Sequence, residues 1–127
     1  MNNKNENYTI SLDASARDAL RKIQELSSGS RRTLFVVDGL KFIGSITDGD
    51  IRRGLLNEQE ISDSISGFVN RSCRSVAEGN VNNEQLKEYR SKGLILIPVV
   101  AENGNLSDIL DLSKIETVLP MSALIMA

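Results

Sequence analysis

Residues 34–51 read LFVVDGLKFIGSITDGDI, and this stretch decides the fold. The apolar, β-branched run Thr33–Val37 is typical of a buried strand, and Asp38-Gly39 is typical of a tight hairpin turn. A return strand is predicted over Lys41–Ile46. Helical periodicity follows at once, so the stretch predicts a β-hairpin that leads directly into a helix from Asp48 to about Leu56.

The predicted helix and the segment after it carry regularly spaced apolar residues. Ile51, Leu55 and Leu56 are expected to face the interior. After a polar break at residues 57–60, apolar residues recur at i, i+4, i+7 and i+8, which predicts a further short helix. They are Ile61, Ile65, Phe68 and Val69.

Upstream of the hairpin, the pattern predicts a short strand over residues 8–12 and a helix over residues 13–27, which Asp13 or Ser15 can cap. One face of this helix is apolar and consists of Ala16, Ala19, Leu20, Ile23 and Leu26. Residues 1–7 are polar and rich in asparagine, and we expect a disordered tail there.

The order strand, helix, strand, turn, strand returns in the second half of the chain. The pattern predicts a strand over 74–77 and a helix over 82–92, which carries Leu86 and Tyr89 and ends at Gly93. It then predicts a strand over 94–100, a turn at 103–104 and a strand over 106–112. Val36-Val37 aligns with Val99-Val100 at an offset of 63 residues, and Ile46 aligns with Leu110 at an offset of 64. Two such half-domains can cover each other's sheets. We therefore expect an α/β (α+β) fold of two small sheets flanked by helices and related by pseudo-twofold symmetry.

The composition excludes several kinds of site. The 127 residues include no histidine and one cysteine, Cys73. Ser-His-Asp and Cys-His catalysis, an internal disulfide and the usual zinc sites are therefore excluded. Cys73 is expected to be a small core or surface residue rather than a reactive thiol. The net charge of −2 argues against nucleic-acid binding. Because no apolar run is long enough for a membrane span or a signal peptide, we expect a soluble, cytoplasmic protein.

The junction between the second hairpin strand and the next helix is the candidate for binding chemistry. Gly44, late in the strand, permits another backbone to approach closely. Thr47 and Asp50 stand at the helix start, where unpaired N–H groups and the positive end of the helix dipole favour a phosphate. The Thr47 hydroxyl could donate to a phosphate, and the Asp50 carboxylate could accept from ribose hydroxyls. The same spacing fits a capping box, which stabilises a helix by about 1 kcal/mol, and the two interpretations are compatible.

Residues 34–51 resemble the second half of a cystathionine-beta-synthase-type (CBS) repeat, in which an apolar strand, a turn and Gly-apolar-apolar-Thr/Ser-x-x-Asp follow one another. The run LILIPVVAENG, residues 94–104, resembles the same strand of a second repeat. The resemblance covers roughly residues 8–116 and implies a tandem CBS pair, a module that binds an adenine nucleotide or a related ligand between its repeats.

The resemblance also implies roles for individual residues. Thr47 would contact phosphate and Asp50 would contact ribose, and Asp48, Arg52 and Arg32 are further candidate nucleotide-binding residues. We expect no catalytic residue, no metal site and no cofactor beyond this regulatory ligand. Four aspartates could be considered as metal ligands, but surface or capping roles are favoured for Asp48, Asp50, Asp108 and Asp111.

The second repeat departs from the family pattern at the phosphate position. Asp108-Ile109-Leu110-Asp111 stands where Gly-apolar-apolar-Thr would be, and Lys114 stands where the ribose-binding aspartate would be. A carboxylate at Asp111 would repel a phosphate rather than donate to it. One competent nucleotide site, or none, is therefore expected.

The run TDGDIRR, residues 47–53, resembles more particularly the CBS pairs attached to sugar-phosphate enzymes. Sugar-phosphate nucleotidyltransferases carry such a pair at the N-terminus, and arabinose-5-phosphate isomerases carry it at the C-terminus. The run MSALIMA, residues 121–127, is similar to the strand that leads into the glycine-rich nucleotide loop of the nucleotidyltransferases. We expect such a catalytic domain to follow in the parent protein; an ordinary C-terminal strand or tail is the alternative.

The leading hypothesis is therefore a regulatory, non-catalytic CBS pair that controls an attached sugar-phosphate nucleotidyltransferase. It divides the chain into repeat 1 over residues 8–57, repeat 2 over 58–116, and a linker with the start of a following domain over 117–127. The alternatives are a ligand-free module that forms a homodimer through its CBS helices, and the CBS region of another enzyme such as an arabinose-5-phosphate isomerase.

Overall fold

Two three-stranded sheets of the same topology form the framework of the computed structural model, which describes residues 7–26 and 32–112. The first sheet contains β1 (Thr9–Ser11), β2 (Thr33–Asp38) and β3 (Lys41–Thr47). The second contains β4 (Val76–Ala77), β5 (Leu96–Val100) and β6 (Leu106–Asp111). The helices are α1 (Ala16–Glu25), α2 (Asp48–Leu56) and α3 (Asn83–Ser91), with one 3-10 turn at Ile65–Gly67. The expectations for residues 1–6, 27–31 and 113–127, including Lys114, lie outside the described residues.

The register of the strands confirms the internal repeat. In each sheet the first strand pairs parallel to the middle strand, and the third pairs antiparallel to it. The irregularity at Val36/Val37 recurs at Val99/Val100, the offset that the sequence predicts. Likewise, Leu34 pairs with Ile46 as Ile97 pairs with Leu110. Both hairpin turns use a glycine with positive φ, Gly39 at 65° and Gly104 at 92°.

Helix α1 confirms the predicted amphipathic helix and identifies its cap. The Ser15 hydroxyl accepts from the Asp18 N–H at 3.1 Å, and the Asp18 carboxylate accepts from the Ser15 N–H at 3.3 Å. This reciprocal pair is a capping box, so Ser15 rather than Asp13 starts the helix. The predicted apolar face packs into the first core, with Ala16, Ala19 and Ile23 buried and Leu20 and Leu26 partly buried.

Helix α2 has the predicted bounds, but part of its predicted inner face is wrong. Ile51 is buried as expected, whereas Leu55 is 39% exposed and Leu56 is 79% exposed. The buried face instead runs through Ile51 and Gly54, because the ring of Phe68 lies directly on Gly54. A Cβ atom at Gly54 would lie 2.3 Å from that ring. Two leucines are therefore left at the surface of the helix.

The short helix predicted around Ile61–Val69 is also wrong, since only the 3-10 turn forms. Ser64 diverts the backbone: its hydroxyl accepts from the Ser66 N–H at 3.2 Å and donates to the Leu12 carbonyl at 3.0 Å. Such local side-chain hydrogen bonds compete with helix formation. The segment nevertheless packs on the first sheet and α1, where Ile65 and Phe68 are buried in the first core.

The two sheets meet at their hairpin ends and across a small apolar core. Phe35, Leu96 and Leu106 form this core, with partly buried residues of both halves around them. The Phe42 N–H donates to the Gly104 carbonyl at 2.9 Å, which ties the turn of one half to the turn of the other. In the described part of the chain, no helix has the length and apolar character needed to cross a membrane.

Candidate functional site

A cleft of about 420 Å³ lies between the two halves, beside the start of α2. The first half contributes Thr33, Phe35, Ser45, Thr47 and Asp50. The connection between the halves contributes Asn70, Ser72, Cys73 and Arg74, and the second half contributes Gly93, Leu94, Ile95, Leu96 and Ile97. The cleft therefore depends on both repeats and on the segment that joins them.

Gly44 explains how the connecting segment reaches the cleft. Ser45 and Asn70 exchange two backbone hydrogen bonds, 3.0 Å and 2.8 Å long, which lay the segment alongside β3. A Cβ atom at Gly44 would lie 2.3 Å from the Asn70 carbonyl oxygen, so only glycine allows this approach. The predicted close backbone contact at Gly44 is confirmed, and it brings Cys73 and Arg74 to the cleft.

Thr47 and Asp50 form the predicted capping box at the edge of the cleft. The Thr47 Oγ1 accepts from the Asp50 N–H at 3.2 Å. One Asp50 carboxylate oxygen, Oδ2, accepts from the Thr47 N–H at 3.0 Å and from the Thr47 hydroxyl at 3.1 Å. Asp50 is only 8% exposed, so this box holds a carboxylate in a mostly buried position.

The other carboxylate oxygen of Asp50 is engaged by a residue one turn further along the helix. Arg53 donates from Nη2 to Asp50 Oδ1, forming an i, i+3 ion pair. Arg53 does not line the cleft but lines a separate groove of about 400 Å³, which Asp50 also borders. A buried charge is costly unless it is paired and hydrogen-bonded, and Asp50 has both kinds of partner.

The remaining predicted site residues lie outside the cleft lining. Asp48 and Arg52 pair with each other at 2.8 Å on the exposed side of α2. Arg32 is exposed and directly precedes Thr33, which does line the cleft. Of the five predicted residues, the structure thus brings Thr47 and Asp50 together at the cleft and leaves the other three outside its lining.

Arg74 is a cleft residue that the sequence reasoning missed. Its guanidinium lies 5.7 Å from the centroid of the Tyr89 ring, within the range of a cation–π contact. The Tyr89 hydroxyl accepts from the Gln85 side-chain amide at 3.0 Å, which holds the ring in place on α3. Nothing in the sequence around Arg74 indicates this role, because the contact depends on how the connecting segment packs against α3.

Cys73 also lines the cleft. Burial raises the pKa of its thiol, with a smaller contribution from the charge of Asp50, and a hydrogen bond with Ser45 opposes both. A thiol with a raised pKa is mostly protonated and weakly nucleophilic at neutral pH. The structure thus agrees with the interpretation of Cys73 as a structural residue.

The second half lacks an equivalent of Thr47. Thr47 pairs with Thr33 across the first sheet, and Asp111 pairs with Leu96 at the same place in the second. The described residues therefore place a carboxylate where the first half has a hydroxyl.

Comparisons with known proteins agree with this architecture. Residues 4–57 match the family model described as CBS domain. No curated protein matches the chain. Staphylococcus aureus OpuCA is structurally similar, with a TM-score of 0.67 at 18% identity over 90% of this chain and 92% of that chain.

Two further solved structures have the same fold. One is a CBS domain pair/ACT domain protein from Thermotoga maritima, with a TM-score of 0.69 at 18% identity over 90% of this chain and 88% of that chain. The other is CBSX2 in complex with AMP, with a TM-score of 0.66 at 18% identity over 90% of this chain and 88% of that chain. The chain therefore has the fold of a CBS domain pair, and its first half matches the CBS domain family in sequence as well.

Proposed function

We propose that the chain is a regulatory module that binds an adenine nucleotide, or a related phosphate-bearing ligand, in the cleft between its two repeats. The observation that carries the proposal is the position of Thr47 and Asp50, at the start of a helix and on the wall of a cleft built by both halves. The AMP complex of CBSX2, a protein of the same fold, supports adenine nucleotides as the first ligands to test.

The lining offers a suitable partner for each part of a nucleotide. The start of α2 favours a phosphate, and the Thr47 hydroxyl would donate to it in exchange for its hydrogen bond to Asp50. Asp50 supplies carboxylate oxygens that can accept from ribose hydroxyls, although the ribose must share them with Thr47 and Arg53. Leu94 and Ile95, which are partly exposed, supply apolar surface on which a base can pack.

Regulation would follow from the position of the cleft between the halves. A ligand that contacts both repeats stabilises one arrangement of them over others, and it can shift a neighbouring domain only by that difference in affinity. We propose a sugar-phosphate nucleotidyltransferase as the controlled domain, on the resemblance of residues 47–53. A coding sequence that continues with Gly-Gly-x-Gly-Thr-Arg would support this parent, and a continuation without that loop would contradict it.

Isothermal titration with AMP, ADP, ATP and a sugar nucleotide tests the binding proposal. At least one of them should bind, and Asp50→Asn should weaken that binding by about tenfold or more, because it removes a charged hydrogen-bond acceptor without changing shape. Asp48→Asn is the matched control, since it makes the same change on the exposed side of α2, outside the cleft lining. Equal binding by the two variants would contradict the proposed site.

A second candidate function is homodimerisation without a ligand, and the exposed leucines of α2 favour it. Leu56 is 79% exposed and Leu55 is 39% exposed on the same helix, which is unusual unless a partner covers them. Light scattering should then give the mass of a dimer that Leu56→Glu converts to a monomer. Leu40→Glu is the control, because Leu40 is 66% exposed in a hairpin turn away from α2. A monomeric wild-type chain would contradict this candidate, and a dimer that binds none of the four nucleotides would favour it over the regulatory proposal.

A further inference from the structure

We propose that Arg74 binds the phosphate of a nucleotide in the cleft, and that the cleft, with this one cation, favours a nucleotide with one phosphate group over a nucleotide with three. This inference rests on the proposed function and specifies how many phosphate groups the ligand carries.

Arg74 is a cation without a carboxylate partner among the described residues. By contrast, other cations of the described residues are paired with carboxylates, as Arg52 is with Asp48, Arg53 with Asp50 and Lys92 with Glu88. The guanidinium of Arg74 instead rests on the face of the Tyr89 ring at the cleft edge. An arginine placed this way keeps its N–H donors available for an anion while the ring limits its motion.

The charge balance of the lining favours a ligand with a small negative charge. Among the residues that the structure describes, Asp50 and Arg74 are the charged members of the lining, and the charge of Asp50 is offset by Arg53 from outside the cleft. What remains is one positive charge on Arg74 and about half a charge at the start of α2. A monophosphate carries roughly −1.5 to −2 at neutral pH, which this environment nearly balances. A triphosphate adds two more charged groups, and residues 7–26 and 32–112 contribute no further cation to the lining for them.

The test compares adenosine, AMP and ATP without Mg²⁺ by isothermal titration to the wild-type chain and to Arg74→Gln. The wild-type chain should bind AMP about tenfold more tightly than ATP. Arg74→Gln should lower the affinity for AMP by about tenfold and leave the affinity for adenosine unchanged. Arg71→Gln is the matched control: it removes the same charge from an exposed residue that does not line the cleft, and AMP should bind it as it binds the wild type.

Each outcome decides one of the two claims. If AMP binds but Arg74→Gln and Arg71→Gln weaken it equally, or if ATP binds more tightly than AMP, the role of Arg74 is overturned and the nucleotide site stands. If none of adenosine, AMP and ATP binds the wild-type chain, the role of Arg74 and the adenine-nucleotide site both fall. Arg74→Lys keeps the positive charge and should restore part of the AMP affinity that Arg74→Gln loses. Circular dichroism verifies that each variant is folded.

Discussion

Asp111 occupies in the second sheet the position that Thr47 occupies in the first. Thr47 closes β3 opposite Thr33, and Asp111 closes β6 opposite Leu96. The two halves share their topology and the irregularity in their middle strands. They differ in the side chain at the end of the third strand, which is a hydroxyl in the first half and a carboxylate in the second. A hydroxyl can donate to a phosphate, and an ionised carboxylate cannot. The two halves therefore share their backbone pairing and differ in the hydrogen-bonding group at this position.

The first prediction concerns stoichiometry. A nucleotide that binds the chain should bind with one molecule per chain, because Asp111 repels phosphate where Thr47 would attract it. Fitting the titration curve of the tightest ligand measures this number directly. Two sites of similar affinity on each chain would show that the second half binds despite its carboxylate.

The second prediction concerns the contact that builds the cleft wall. Gly44→Ala should lower the free energy of unfolding by about 1–3 kcal/mol, since its methyl group would overlap the Asn70 carbonyl. Gly49→Ala is the matched control, because its Cβ would meet only an ordinary contact at 3.7 Å. That change should be neutral or stabilise by up to about 1 kcal/mol. Urea denaturation measures both, and an unchanged midpoint for Gly44→Ala would mean that the connecting segment does not lie against β3.

The third prediction concerns the capping box of α2. Thr47→Ala should lower the free energy of unfolding by about 1 kcal/mol, because it leaves the Asp50 N–H without its acceptor. Thr47→Ser keeps the hydroxyl and should stay close to the wild type. Thermal denaturation of the three proteins tests this order. If serine destabilises as much as alanine, the Thr47 methyl group rather than its hydroxyl carries the effect.

The fourth prediction concerns the reactivity of Cys73. Because burial raises the pKa of this thiol, its thiolate fraction at pH 8 is lower than that of a free thiol, and its alkylation by iodoacetamide should be slower than that of glutathione. The rate should rise as the pH increases above the ordinary cysteine pKa. Unfolding the chain in urea should bring the rate up to that of the free thiol. A folded chain that reacts as fast as glutathione at pH 8 would contradict a buried thiol.

Much of the fold could be predicted because it rests on local periodicity. The hairpin over residues 33–47, the amphipathic helix α1 and the 63-residue repeat all follow from patterns that neighbouring residues impose. The second repeat was harder to delimit, since its first strand spans only Val76–Ala77 within the predicted 74–77. Short edge strands carry little pattern of their own.

The errors have a common physical cause, which is packing between distant segments. The spacing of Leu55 and Leu56 predicts an inner helix face. The ring of Phe68, however, packs on Gly54, so the face with Gly54 is buried and the two leucines are exposed. Spacing also cannot reveal the contact of Arg74, because its partner Tyr89 lies on α3, far along the chain from the connecting segment. For the same reason the sequence indicated the Thr47–Asp50 wall of the cleft and missed the wall formed by the second half.

The most direct test of the central claim is a backbone amide chemical-shift map of the ¹⁵N-labelled chain during titration with AMP. A nucleotide in the cleft should move the amides of Asp48 and Gly49 at the start of α2, of Arg74 in the connecting segment and of Ile95 in the second half. Changes on both sides of the cleft at once would establish binding between the repeats. No changes, or changes confined to the separate groove around Tyr8 and Lys22, would contradict it.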